Sequence, residues 1–368
     1  MKKLTAVLIS LIAGFSYLSL TPASAENAPI IIADKPHQLF SGVFHDDELA
    51  TSLLPDGKLG ARVFNPPRGV NTWVIDGRLL DEVSAMTDGY VLENKKEGAG
   101  ALAAKSWLTR LALSTGGDHI YALAYGNPDI AIARSLAPSE FTFYLAYGKS
   151  QVEKQLKRKA ATDELTVTGT SNMSALFKKD YTQSRQSLSK LSTVIDTPEV
   201  EAIRANLSVV LNPYMKKEDR EIFTKDAVFS VEKFVNKLRV TNGKYQLTSK
   251  EVKVPITLTN DFDAPVTLFL NLSPQNSRVQ VGGEYKVTIA AKSRSQLAVP
   301  FTVIAPGATS VIAQFTNDKG QKIGKEATLT LNLTIFDSRV AWFTSGAGIL
   351  LLLAAITQTV RRIRRSGK

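Results

Sequence analysis

The chain has 368 residues, enough for two or three domains at roughly 150 residues each. Apolar residues make up 44% and charged residues 21%, which excludes a disordered or fibrous chain, and the absence of cysteine excludes a disulfide scaffold, a thiolate nucleophile and a Cys-ligated metal. The formal charge is +11, but Lys2 and Lys3 supply two charges and Arg361, Arg362, Arg364, Arg365 and Lys368 five, so the rest carries about +4 and nucleic-acid binding is not implied.

Residues 1–25 read as a signal peptide. Lys2 and Lys3 form a basic start, an apolar stretch follows from Leu4 to Leu20, and Ala23, Ser24 and Ala25 fit the small-residue cleavage rule.

Residues 28–160 alternate strand and helix patterns, which implies a small parallel sheet or a partial α/β barrel. The runs 29–33, 71–75, 119–124 and 140–145 read as strands. Helices are expected through Leu79, Leu80, Val83 and Met86, over 99–113 with Leu102, Trp107, Leu108 and Leu111 on the apolar side, and over 148–156. The three or four units are too few for a complete eight-stranded barrel.

Residues 172–240 read as a helical segment. Asp196 caps a helix that has Pro198 early and Glu199 completing a capping box. Asn212 and Pro213 break the chain before the next helix. Residues 241–336 alternate apolar and polar side chains, as in Val254, Ile256 and Leu258 or Leu329, Leu331 and Leu333. Seven or eight short strands there suit an immunoglobulin-like sandwich.

Residues 340–360 carry no charge over 21 positions and are long enough for one transmembrane helix. Trp342 sits where an interfacial belt belongs, and Arg361, Arg362, Arg364 and Arg365 follow, so the basic tail 361–368 stays in the cytoplasm. The expected whole is an α+β multidomain protein of type I topology, crossing the lipid bilayer of the cell membrane once with its bulk outside the cytoplasm.

The α/β part offers the candidate site, because ligands of parallel α/β folds collect at the carboxyl ends of strands. Asp34, Asp76, Tyr125 and Asp129 lie at or near such ends. Converging carboxylates there suit sugar binding or acid–base work; as single residues, Asp76 and Asp129 also suit helix caps. His45, Asp46 and Asp47 are metal-ligand residue types, but His37, His45 and His119 form no zinc-type pair, and there is no phosphate loop, dinucleotide fingerprint or nucleophile elbow, so no cofactor or metal is expected.

The order of motifs resembles a family. Trp73, Val74, Ile75 and Asp76 with Leu79 and Leu80, then Gly89 and Tyr90, then Ala104, Trp107 and Leu108, then the run from Ala122 to Asp129, are similar to an uncharacterised family of actinobacterial membrane-anchored envelope proteins. The likeness continues through Val254 to Asn260 and the closing Arg-rich tail. The resemblance implies a degenerate polysaccharide-deacetylase or glycosidase-like domain, then helices, a sandwich and one membrane helix, often encoded near the lipid II flippase. Here the α/β part is shorter, Ala124 stands where Pro is common, Asn127 stands where Asp is common, and the metal-binding His pair is missing. The expectation is a non-catalytic envelope protein that binds cell-wall glycan or a membrane protein of cell-wall synthesis. The rival expectations are a hydrolase using paired Asp residues and an assembly protein for a membrane transporter.

Overall fold

A computed structural model describes residues 27–162, 173–334 and 338–365 and, in the last of these, the side chains of 347–359, Arg361 and Arg362. The expected signal peptide, residues 366–368 of the tail, and the side chains of Trp342, Arg364 and Arg365 lie outside the described residues. The chain is a mixed α+β protein.

The first part runs β1 (Ile30–Ile32), α1 (Glu48–Ser52), α2 (Lys58–Phe64), β2 (Thr72–Ile75), α3 (Gly77–Met86), α4 (Ala101–Ser114), β3 (His119–Ala122), α5 (Ile130–Leu136), α6 (Pro138–Leu156) and β4 (Ala161–Thr162). The four strands are parallel and stand side by side in chain order. Alternate strand residues face opposite ways, so Ile30, Ile32, Trp73, Ile75, Ile120 and Ala122 share one face. They bury it against Leu49, Leu59, Leu80, Trp107 and Val152 from the helices.

The run 140–145 expected as a strand lies inside helix α6. Pro138 occupies its first turn, and Phe141, Tyr144, Leu145, Gly148, Val152 and Leu156 recur at helical spacing on the buried side. Six alternating residues were too short a window to separate the two periods. The strand that follows β3 is instead the two-residue β4. On α4, Leu102 is also not on the apolar side: it is 83% exposed, while Ala104, Trp107 and Leu111 are buried.

The second part holds α7 (Ala175–Leu191), α8 (Pro198–Asn206), a 3-10 turn (Leu207–Leu211) and α9 (Lys217–Val235). Thr197, not Asp196, caps α8, its hydroxyl accepting the Val200 N–H at 3.4 Å with Pro198 in the first turn. Glu140 of α6, 1% exposed, takes two hydrogen bonds from Arg204 of α8, both 2.8 Å, which ties this part to the first.

The third part is a two-sheet β-sandwich of nine strands. They are β5 (Leu238–Val240), β6 (Gly243–Leu247), β7 (Glu251–Asn260), β8 (Val266–Pro274), β9 (Val279–Val281), β10 (Glu284–Ile289), β11 (Ser293–Val303), β12 (Gly307–Thr316) and β13 (Lys322–Leu333). One sheet has the order β10-β8-β12-β13-β6 and the other β5-β7-β11-β9. Pairing is antiparallel except between β13 and β6. The inner side chains of both sheets, such as Ile256, Leu270, Phe315 and Leu331, continue into Leu188, Val210 and Val235 of the helices and Tyr144 of α6 as one apolar cluster. The helical part is therefore packed as a wedge between sheet and sandwich.

The last element, α10, is a helix over Ser338–Arg365. Among the described residues no helix is long and apolar enough to cross a membrane. The described side chains 347–359 of α10 account for only about 20 Å at 1.5 Å per residue.

Candidate functional site

The carboxyl ends of β1, β2 and β3 meet beneath the 3-10 turn. Asp76 follows β2 and caps α3. Its Oδ1 accepts the backbone N–H of Arg78 and of Gly126, each at 2.9 Å, so one carboxylate ties the β2 loop to the β3 loop. Asp76 is 2% exposed, and burial raises its pKa to about 7 against those two bonds. Gly126 has φ +75°, and a Cβ there would meet Ser208 Oγ at 2.6 Å; glycine permits both the turn and the close approach of the 3-10 segment. Ser208 in turn donates to the Tyr125 carbonyl at 2.5 Å.

Asp129 caps α5 by accepting the Ile132 N–H at 3.0 Å, and its own N–H donates to the Leu211 carbonyl at 2.9 Å. It is 4% exposed. Tyr125 is buried, with its hydroxyl donating to Asp81 at 2.9 Å while Gln155 holds the other Asp81 oxygen at 3.0 Å. Burial drives the Tyr125 pKa well above the phenol range. Asp34, after β1, accepts its neighbour's N–H at 2.9 Å and the Lys58 ammonium at 3.0 Å.

Asn212, which in sequence shows only as a chain break with Pro213, joins these loops. It is 1% exposed, and its amide donates to the Asp34 carbonyl at 3.1 Å and the Gly126 carbonyl at 3.0 Å. Arg220 of α9 fixes the turn beneath, donating to the Val210 and Asn212 carbonyls at 2.5 and 2.8 Å. The four residues chosen from sequence therefore gather at one end of the sheet, with Asp76 and Asp129 serving as helix caps and Tyr125 sealed under protein.

A second group of charges lies beside them, and of its members only His37 and Asp46 stand out in the sequence, as metal-ligand residue types. Glu82, 1% exposed, accepts the N–H groups of His37 and Gln38 and pairs with Arg78 at 3.0 Å. Arg78 also donates to the Gln38 carbonyl at 2.6 Å. Buried His37 meets Asp46 at 2.7 Å through Nδ1. Burial opposes the charge on His37, but Asp46 and Glu82 outweigh it and raise its pKa; burial likewise opposes charge on Asp46, and His37 and Lys35 hold that carboxyl far below its usual range. Lys35 bridges Asp46 at 3.1 Å, Glu48 at 3.0 Å and Asp219 of α9 at 3.4 Å. For Arg78 and Glu82 the sequence-level sign is their i,i+4 spacing.

His45, Asp46 and Asp47 do not converge. His45 pairs with Glu93 at 2.5 Å and Asp47 accepts the Tyr90 hydroxyl. Among the described residues no three side chains of metal-ligating type are placed so that they could hold a metal ion. The arrangement holds three loops and a helical wedge in one register, and it presents no open pair of carboxylates.

Solved structures with similar parts include WR4, a member of the MSP family of C. elegans, at 14% identity over 27% of this chain and 98% of that one, with a TM-score of 0.22. Salmonella alpha-2-macroglobulin reacted with methylamine is 14% identical over 27% of this chain and 7% of that one, at 0.21, and the E. coli chaperone DraB 10% identical over 26% and 53%, at 0.20. No curated protein matches the sequence. Residues 132–368 match the family of unknown function DUF6049, and the chain belongs to that family.

Proposed function

We propose that this is a single-pass, membrane-tethered envelope protein with its bulk outside the cytoplasm, and that it works by binding rather than catalysis. The observation that carries the tether is α10. Ile349, Leu350, Leu351, Leu352, Leu353 and Ile356 are each more than half exposed, on all sides of one helix, and exposed Arg361 and Arg362 follow. Water is a poor solvent for such a surface and lipid a good one, and the cations mark the cytoplasmic end.

In this reading the parallel sheet is a barrel segment. Its strands run β1-β2-β3-β4 without the reversal that a doubly wound sheet has at its ligand crevice. The sandwich is immunoglobulin-like and lies in the chain between that segment and the membrane. The sequence resemblance supports a cell-wall context, an actinobacterial source and a flippase-linked partner.

The binding reading is supported by the state of the carboxylates. A glycosidase pair needs two carboxyl groups facing a sugar across an open cleft, whereas Asp76 and Asp129 are 2% and 4% exposed and committed to backbone N–H groups. The raised pKa of Asp76 is the one feature that favours a hydrolase, and burial without access accounts for it.

Cell fractionation and protease treatment of intact cells test the tether. The protein is expected to stay with membranes through an alkaline wash and to lose its bulk to external protease. Release as a soluble species, or full protection, overturns it. Turnover of peptidoglycan fragments that Asp76→Asn abolishes would overturn the non-catalytic part.

A further inference from the structure

Helix α4 carries its two most exposed leucines in a place no packing explains. Leu102 is 83% and Leu113 68% exposed. They are eleven positions apart, three helical turns, so they stand on one face about 16 Å from each other. Lys105, Ser106, Thr109 and Arg110 lie between them on the same stripe. With Phe64 at the end of α2 these residues line a surface groove of 420 Å³. No acidic side chain lines it, and α4 contains none.

The order along the stripe is Leu, Lys, Ser, Thr, Arg, Leu, the same chemistry read from either end. That symmetry argues against a second copy as partner. An antiparallel twofold pairing sets Lys105 against Arg110, and a parallel one sets each cation against itself, so both place like charges together. A surface that accepts apolar side chains and supplies negative charge satisfies the whole stripe. Leucines enter the headgroup–acyl boundary while the cations stay at phosphate depth.

We propose that the outer face of α4, with Phe64, is a membrane-surface contact selective for anionic phospholipid, a second attachment beside the tether. It rests on the tethered reading only in that the tether brings a bilayer within reach.

The chain has no cysteine, so Ser106→Cys accepts a single polarity-sensitive dye in the middle of the stripe while both leucines remain. The labelled full chain is reconstituted into phosphatidylcholine vesicles and into vesicles that also contain phosphatidylglycerol. The dye is expected to shift to the blue and to be quenched by a lipid-borne quencher only in the second kind, with reversal at high salt. Lys105→Glu with Arg110→Glu, both exposed, are expected to abolish the shift. A dye that stays in water in both vesicles, or shifts equally in both, overturns the proposal. So does a shift that depends on protein concentration in neutral vesicles, which would mark a second copy. Failure of the chain to co-sediment with neutral vesicles sinks the tether instead, and a phosphatidylglycerol-dependent shift would still uphold the α4 contact.

Discussion

Among the described residues, the buried polar side chains of the sandwich are Thr259, Asn260, Thr309, Gln314, Thr316 and Asn317, all neutral. Those of the α/β and helical parts include His37, Asp76, Arg78, Glu82, Asp129, Glu140 and Arg220. Both regions bury a large apolar core, so the difference lies in what joins their pieces. A sandwich closes by interdigitating two apolar faces, and neutral amides such as Asn260, which donates to the carbonyls of Ala264, Ile289 and Ala290, complete the strand ends. The wedge against the parallel sheet must join loops whose backbone groups are not paired in a ladder, and charged side chains satisfy those groups several at a time. Stability of the junction between wedge and parallel sheet should therefore depend on pH and on single charges, and stability of the sandwich on neither.

Removing Arg78 should give the largest effect. Arg78→Ala strips the cation from Glu82 and a donor from the Gln38 carbonyl. A broken buried pair costs about 3–5 kcal/mol. Urea denaturation should show a loss of that size, with protease cutting first in the α/β part. A loss under about 1 kcal/mol, the usual scale of an exposed pair, would mean that Glu82 is adequately held by backbone N–H groups alone.

Asp76→Asn comes next and has a sign. The folded pKa of Asp76 is raised from 3.8 to about 7. The folded state thus keeps a proton that the unfolded chain gives up, and stability falls as pH rises from about 4 to about 7, where the loss is complete. A shift of about three units corresponds to about 4 kcal/mol as an upper bound. Asparagine keeps an acceptor oxygen for the Arg78 and Gly126 N–H groups and carries no charge. The variant should match the native protein below pH 4 and exceed it above pH 7. Parallel pH curves for the two proteins would show that the Asp76 charge is solvated after all.

The same contrast decides what the sequence could reveal. Alternation in Val254, Ile256 and Leu258 reports a property of neighbouring residues, and those residues form β7. Asp76 and Asp129 before helix patterns report a local cap, and both caps form. The failures are non-local or too short. The run 140–145 alternates for six residues inside a nineteen-residue helix. Asn212 bonds groups 178 and 86 positions away, and Glu82 meets His37 across 45. No window-based pattern carries such pairings, so the gathering of the Asp loops could be guessed from strand ends, but not the side chains that seal them.

The smaller effects set the two junctions directly against each other. His37 has a pKa above the ordinary imidazole value of 6.5, burial opposing and Asp46 and Glu82 prevailing. Its contribution is complete below about 6.5 and is lost as pH rises through the folded value. His37→Gln should cost about 1.5–3 kcal/mol at pH 6, the range for hydrogen bonds to charged groups, and progressively less in alkali. Ile256→Val in the sandwich core should cost about 0.5–1.5 kcal/mol, since a fully buried methylene is removed, and the cost should be the same at both ends of that range. Measuring both variants by denaturant titration at pH 6 and pH 9 separates the explanations. A pH-dependent unfolding midpoint of the sandwich itself would mean that the two parts unfold as one unit through the shared apolar cluster, and a pH-independent cost for His37→Gln would mean that the histidine is neutral and acts only by shape.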